Sequence, residues 1–167
     1  MSTNPSFATA YELVSQNGFG EVRYNKELDH RSFHALQAFM PGDIVCEFGA
    51  REVLDHPTYL TVQVDDNRHI LLDPEFIQYT NHSCNPNVFF DTGTMLLVCL
   101  QPIRMGEELS FFYPGTEWRM DQPFTCHCGA KECLGQIQGA YYLSDEVLSG
   151  YRLTNYIRRK IAEHPNR

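Results

Sequence analysis

The sequence predicts a mainly β domain of many short strands, closed at its C-terminal end by helix. Three observations carry that expectation. Several short segments alternate apolar and polar residues with period two, turn signals recur roughly every ten residues, and only the tail shows helical spacing. The length of 167 residues suits one domain with its own core. A hydrophobic content of 43%, with 13% aromatics, excludes a disordered chain.

The elements follow in order. Residues 1–10 are polar and are expected to be a flexible start. Tyr11 to Val14 reads as a first short strand, and Glu21-Val22-Arg23-Tyr24 alternates as a second. Between them Gly18-Phe19-Gly20 marks either a plain turn or a place where backbone approaches a ligand closely. Ser32 to Phe39 and Ile44 to Phe48 read as strands separated by the turn Met40-Pro41-Gly42-Asp43. Tyr59 to Asp65 and His69 to Leu72 form a predicted hairpin across Asp66-Asn67-Arg68. Val88 to Asp91 and Met95 to Leu100 form another through Thr92-Gly93-Thr94. A turn at Arg104 to Glu108 leads into a last strand, Leu109 to Tyr113, which Pro114-Gly115 ends.

From Thr116 to Gly139 periodicity is weak and punctuation dense. Ser144-Asp145-Glu146 then supplies a cap and acidic residues ahead of Val147, Leu148, Tyr151, Tyr156, Ile157 and Ile161, which recur at helical spacing. Gly150 is placed to split this run into two helices. Arg158-Arg159-Lys160 reads as a solvated helix end, favoured there by the helix dipole. The expected organisation is a flexible start over 1–10, a β domain over 11–115, a cysteine-bearing segment over 116–139 and a helical extension over 140–167.

The net charge of −8, from 13 basic and 21 acidic residues, disfavours direct nucleic-acid binding and suits a basic or cationic ligand. No basic residue precedes Arg23, and no early apolar run is present, so a secretory signal is not expected. No stretch has the apolar length to span a bilayer. The expectation is an intracellular protein, cytoplasmic or nuclear, with no membrane partner. Its six cysteines should then be thiols or metal ligands rather than disulfides.

Chemistry concentrates at Asn81-His82-Ser83-Cys84-Asn85-Pro86-Asn87. An amide, an imidazole, a hydroxyl and a thiol stand in consecutive positions, and Asn-Pro-Asn closes them with turn chemistry. Such a loop carries function more often than packing. A second cluster, Cys126, Cys128 and Cys133, is spaced C-x-C-x4-C. Tetrahedral zinc takes four such ligands, so one more must come from elsewhere. Cys46 and Cys99 lie in apolar strands, where buried free thiols are ordinary. Cys84 is the remaining loop cysteine, and a zinc ion on all four would fold 116–139 over the central loop.

Three motifs in order resemble the SET-domain methyltransferases with a post-SET zinc segment: Asn81-His82-Ser83-Cys84-x-Pro86-Asn87, Gly106-Glu107-Glu108-Leu109-Ser110-Phe111-Phe112-Tyr113, and C-x-C-x4-C. The resemblance spans Gly18 to Gly135. It implies a knot-like fold in which the last segment threads under a loop, an exception to the usual rule. It also implies S-adenosylmethionine as methyl donor. Gly18, Phe19, Gly20, Asn81, His82, Tyr113 and Phe124 would then contact that donor, and Cys84, Cys126, Cys128 and Cys133 would share one Zn2+. Tyr113 falls where the family has its catalytic tyrosine. Tyr59 is the match for a second tyrosine in the acceptor channel, and Phe111 occupies the position that sets how many methyl groups fit. Gln78-Tyr79 stand where the family usually has Arg-Phe, and Phe112 replaces an acidic residue.

Transfer from a sulfonium needs alignment and a preorganised polar setting more than acid–base help. An aromatic channel suits an alkyl ammonium. The expected acceptor is therefore a lysine-containing protein such as a histone, with a small-molecule amine or carboxylate as the alternative. A non-catalytic donor- or zinc-binding module is the third reading. Trp118 and Phe124 are candidates to cover the donor's adenine or to bridge a lid to its domain. The scattered His30, His34, His56 and His69 read as surface or strand-facing residues, and Glu107 and Glu108 as turn residues.

Overall fold

The structure, a computed structural model, describes residues 11–167, so the flexible start expected over 1–10 lies outside the described residues. In chain order the strands are β1 (Tyr11–Asn17), β2 (Gly20–Asn25), β3 (His30–Ala35), β4 (Ile44–Glu47), β5 (Gly49–Leu54), β6 (Thr61–Asp65) and β7 (Arg68–Asp73). They continue as β8 (Asn81–His82), β9 (Val88–Asp91), β10 (Leu96–Cys99), β11 (Ser110–Phe111), β12 (Phe124–Thr125) and β13 (Gln136–Ile137). Two helices, α1 (Asp145–Ser149) and α2 (Asn155–Glu163), end the chain. The predicted mainly β architecture with a helical tail is the one observed.

Three small antiparallel sheets, in the orders β1-β2-β3, β4-β10-β9 and β5-β7-β6, surround one core. Alternation explains the register: Val22 on β2 is buried while its neighbours face outward. The interior is filled by Phe33, Ile70, Ile77, Phe90, Leu97 and Leu109, all fully buried. Both predicted hairpins form, as β6–β7 and β9–β10. β3 starts and stops earlier than the reading Ser32 to Phe39. Leu36 leaves the strand to donate its N–H to the Phe19 carbonyl, and Phe39 pairs alone with Ile103. His34 on β3 is buried, bonded to Ser32 Oγ at 2.8 Å and to the Gly106 carbonyl at 3.1 Å.

β5 has no counterpart among the predicted strands. Its residues are largely exposed, held by backbone pairing to β7 and an Arg51–Glu75 ion pair at 3.4 Å, so it has no buried face to print a period on the sequence. The predicted strand Leu109 to Tyr113 is also shorter. Only Ser110 and Phe111 pair, in parallel, with Asn81 and His82 of β8, and Tyr113 opens a 3-10 turn through Gly115. Asn87 clamps this pairing. Its Oδ1 accepts from the Ser110 N–H at 2.8 Å, and its Nδ2 donates to the Glu108 carbonyl at 2.8 Å. The chain thus returns after a long excursion to lie beside the central loop.

A second core joins the helical tail to the domain. Ser144 caps α1 through the Val147 N–H and Thr154 caps α2 through the Ile157 N–H, and Gly150 ends α1. Phe112, Trp118, Leu148, Tyr156 and Ile157 pack together there. Phe112, which stands where the resemblance expects an acid, is 4% exposed and stacks on Tyr151 with ring centroids 3.6 Å apart. Tyr151 in turn donates to the Cys84 carbonyl at 2.9 Å. The departure from the family pattern is therefore a packing residue of the extension. Phe112→Ala should cost about 3–5 kcal/mol of unfolding free energy, read from the denaturant midpoint. A loss under about 1 kcal/mol would place the tail outside the cooperative fold.

The basic triplet is a correction. Instead of a purely solvated helix end, Arg159 meets Asp65 at 2.6 Å and Lys160, largely buried, meets Asp66 at 2.8 Å. These pairs fasten α2 to the β6–β7 turn.

Candidate active site

A cavity of about 890 Å³ opens between the central loop, the β5–β6 connection and the segment before the cysteine cluster. Asn81, His82, Phe111, Tyr113 and Phe124 all line it. β8 and β11 carry the first three to the wall, because their parallel pairing sets Phe111 opposite His82. The turn after β11 carries Tyr113. The pairing of β12 with β13 brings Phe124 over the opening.

Ring contacts bind these groups into one unit. Tyr113 lies 4.6 Å from Phe111, 5.2 Å from His82 and 5.9 Å from Phe124 between centroids. The Tyr113 N–H donates to His82 Nδ1 at 3.2 Å, so the imidazole proton sits on Nε2, 3.3 Å from Cys84 Sγ. Burial pulls His82 down to about 4 and keeps it neutral. Burial also raises the Tyr113 phenol well above its ordinary range, helped by the charges of Glu108 and Glu117. Its hydroxyl is therefore a neutral dipole, loosely held by the Thr80 carbonyl at 3.5 Å. Asn81 Nδ2 donates to Glu108 Oε1 at 2.9 Å and to the Arg31 carbonyl at 3.0 Å.

Other predicted site residues stand elsewhere. Gly18 and Phe19 form the β1–β2 turn and do not line the cavity. Phe19 packs against Phe33 and Phe76, and a Cβ on Gly20 would overlap the Phe33 ring. Glycine at 20 has a packing reason, and Gly18, Phe19 and Gly20 stand apart from the residues that line this cavity. Tyr59 lines the cavity but is 71% exposed, which puts it at the mouth rather than beside Tyr113. Trp118 belongs to the second core, leaving Phe124 as the aromatic over the cavity.

The cysteines do come together. The Sγ atoms of Cys84, Cys126, Cys128 and Cys133 all lie within 4.8 Å of one another, with Cys84 and Cys126 4.0 Å apart. That is far beyond disulfide length and near the roughly 3.8 Å edge of a tetrahedron with ~2.3 Å Zn–S bonds. Amide N–H groups point at the sulfurs: Leu134 at Cys84, Cys128 at Cys126 and Cys84 at Cys128, at 3.4–3.5 Å. Such donors favour thiolates. Burial pushes Cys84 up to about 11 and Cys126 higher. Burial also opposes ionisation of Cys128, but the amides of Cys84 and Ala130 and the neighbouring thiols outweigh it and bring Cys128 down to about 6. A divalent cation is the natural counter-charge for this set.

Two residues were missed by the sequence reading. Glu108 was taken as a turn residue, yet its carboxylate lines the cavity and holds Asn81. Glu117 drew no attention, yet it is a buried carboxyl on the same wall. No local pattern marks either one. Among the described residues no lysine or arginine lines the cavity, so a cationic ligand fits it in charge and in its aromatic lining.

The SET domain family model matches residues 24–114. A protein named methyltransferase flvH, from Aspergillus flavus, is 41% identical over 107 residues, covering 63% of this chain and 60% of that protein. A histone-lysine N-methyltransferase, H3 lysine-36 specific, from Chaetomium globosum is 34% identical over 120 residues, covering 58% of this chain and 13% of that protein. A protein of the same description from Coccidioides immitis is 37% identical over 170 aligned positions, covering 79% of this chain and 17% of that protein. The chain therefore spans 60% of the first relative's length and a small part of the other two. Among the described residues no helix is long and apolar enough to cross a membrane.

Proposed function

This chain belongs to the SET domain family, and from that premise we propose that it is an S-adenosylmethionine-dependent methyltransferase acting on an amine, first of all the side chain of a protein lysine. One observation carries the reading. A neutral, buried tyrosine hydroxyl, a neutral imidazole and an aromatic cover converge on one acid-lined cavity beside a four-thiol cluster. When bound, S-adenosylmethionine supplies an electrophilic methyl group on a cationic sulfonium.

Asn81, His82, Tyr113 and Phe124 are the residues that would hold the donor. His82 fixes the Tyr113 backbone through Nδ1, so the phenol has one place to stand. The acceptor nitrogen attacks as the free amine, its ammonium proton having passed to solvent before transfer, and the Tyr113 hydroxyl, kept neutral by burial, orients that nitrogen. Phe111 and Tyr113 form an apolar wall that excludes water from that nitrogen. Cys84, Cys126, Cys128 and Cys133 would bind structural zinc and keep Phe124 over the cavity. Tyr59 at the mouth would guide the entering acceptor.

The histone-lysine relatives support a histone lysine as the protein acceptor to try first. A small-molecule amine is the second reading, since the carboxyl of Glu117 in the cavity wall suits its ammonium group as well as that of lysine. The purified zinc-loaded chain should transfer label from labelled donor, and offering it both a protein lysate and a metabolite extract decides between the acceptors. If label reached neither pool while the donor still bound, the catalytic reading would be lost to the non-catalytic one.

A further inference from the structure

Glu117 stands out among the groups that the proposed chemistry does not use. It lines the cavity, yet it is only 7% exposed and no cation touches it among the described residues. A tight turn puts it there: its N–H donates to the Tyr113 carbonyl at 2.9 Å, one turn after the catalytic candidate. Its carboxyl is then locked to β6. Oε1 accepts from the Gln63 N–H at 2.8 Å and from the Thr116 hydroxyl at 3.3 Å. The Gln63 side chain is itself held, accepting from the Trp118 N–H at 2.9 Å and donating to the Tyr156 hydroxyl at 2.9 Å.

Both protein hydrogen bonds fall on Oε1, so Oε2 has no protein partner. It is also absent from the sealed, unpartnered atoms among the described residues, which are His69 Nδ1, Gln78 Oε1 and Arg167 Nε. Oε2 therefore keeps some exposure, on a residue that lines the cavity. A glutamine would accept the same two bonds without the penalty of a buried charge. The feature that distinguishes glutamate here is the charge, placed in the cavity wall.

We propose that Glu117 is a specificity-determining residue that binds the ammonium group of the acceptor through Oε2 and selects alkyl amines over neutral molecules of the same shape. This rests on the reading of the cavity as the transfer site and adds the chemical class the site admits. A desolvated carboxylate is a strong partner for a cation that gives up its own water. Burial first of all raises the Glu117 carboxyl to about 7, and its bonds to Gln63 and Thr116 offset this only in part. The sign follows. The neutral acid dominates below about 7, the anion above it, so ammonium selection strengthens as pH rises through that value.

The titratable groups sharing the cavity are His30, Tyr59, His82, Glu108, Tyr113, Asp121 and His127, beside the thiols of Cys126 and Cys128. Beyond Gln63 lie Asp65, Asp66, Tyr156, Arg159 and Lys160, already paired with one another. Glu108 is engaged by Asn81 through Oε1.

The test uses the full zinc-loaded chain saturated with S-adenosylhomocysteine, so that nothing turns over. n-Butylammonium chloride and n-butanol are titrated calorimetrically. The wild type should bind the ammonium at least ~10-fold tighter than the alcohol at pH 8, and that ratio should fall below ~3-fold at pH 6. Glu117→Gln should show a ratio below ~3 at both pH values, with affinity for S-adenosylhomocysteine changed less than about two-fold. Glu117→Asp, which keeps the charge but withdraws it, should fall between. The wild-type pH series stands on its own should a variant fail to fold.

A wild-type ratio near one at pH 8 overturns the assignment. So does an unchanged ratio in Glu117→Gln, or a loss confined to affinity for S-adenosylhomocysteine. Methyl transfer without ammonium selection would sink Glu117 and spare the methyltransferase reading. Selection without transfer would do the reverse.

Discussion

Replacing Tyr113 by phenylalanine is expected to lower the methyl-transfer rate about 10²–10³-fold while leaving donor affinity within about two-fold. The substitution removes one buried hydroxyl and keeps the ring. The ring is what the protein packs, between Phe111, His82 and Phe124. The hydroxyl contributes little to the fold, because its contact to the Thr80 carbonyl is long at 3.5 Å. Stability should therefore fall by no more than about 1 kcal/mol. The backbone bond from Tyr113 to His82 does not involve the side chain and survives. Single-turnover transfer from labelled donor, with calorimetric donor binding in parallel, separates the two effects. A rate within two-fold of wild type would remove Tyr113 from the chemistry.

The second large effect is expected from Cys126→Ser. Cys126 is a buried member of the four-sulfur group, where it accepts from the Cys128 N–H and lies 4.0 Å from Cys84. With zinc bound as proposed, losing one of its four ligands would forfeit much of a binding free energy that reaches about 10–16 kcal/mol in small zinc domains. Beyond Trp118, which the second core holds, few other contacts secure the segment. β12 and β13 pair over two residues each, and Ile137 is the main apolar anchor beside the thiols. The variant should lose bound zinc by elemental analysis, become protease-sensitive between Met120 and Gln138, and lose transfer at least ~10²-fold. Phe124 would leave the cavity, and with it the contacts to His82 and Tyr113. A metal-free variant with full activity would show that the cluster has no part in building the site.

The two motifs that anchor these predictions were readable because each is dense in chemistry within a few residues. Asn81 to Asn87 and Cys126 to Cys133 need no periodicity to be seen, and the structure brings them into contact. Cys84 was separable from Cys46 and Cys99 because those two sit in apolar strands. The tail was legible too, since Ser144, Gly150 and the apolar spacing are local signals of helix start, stop and face.

What was misread depends on distant partners. Lys160 looked solvated because its partner, Asp66, is far away in sequence. Phe112 looked like a missing acid until Tyr151 appeared against it. The Gly18-Phe19-Gly20 turn gave no hint that Phe33 needs the space beside Gly20. β5 has no buried face, so nothing local distinguishes it from a loop.

By itself the sequence determined the strand-rich class, the helical tail, the four thiols that cluster and the tyrosine that lines the cavity. These rest on residue identity and short spacing, which the chain carries in any conformation. The tertiary structure alone decided that Glu117 faces the cavity, that Tyr59 stands at its mouth and that the tail is bolted to the β6–β7 turn. Those facts depend on which surfaces are desolvated together. Desolvation belongs to the folded whole, since a carboxyl becomes a selective partner for a cation only where the rest of the chain has removed its water.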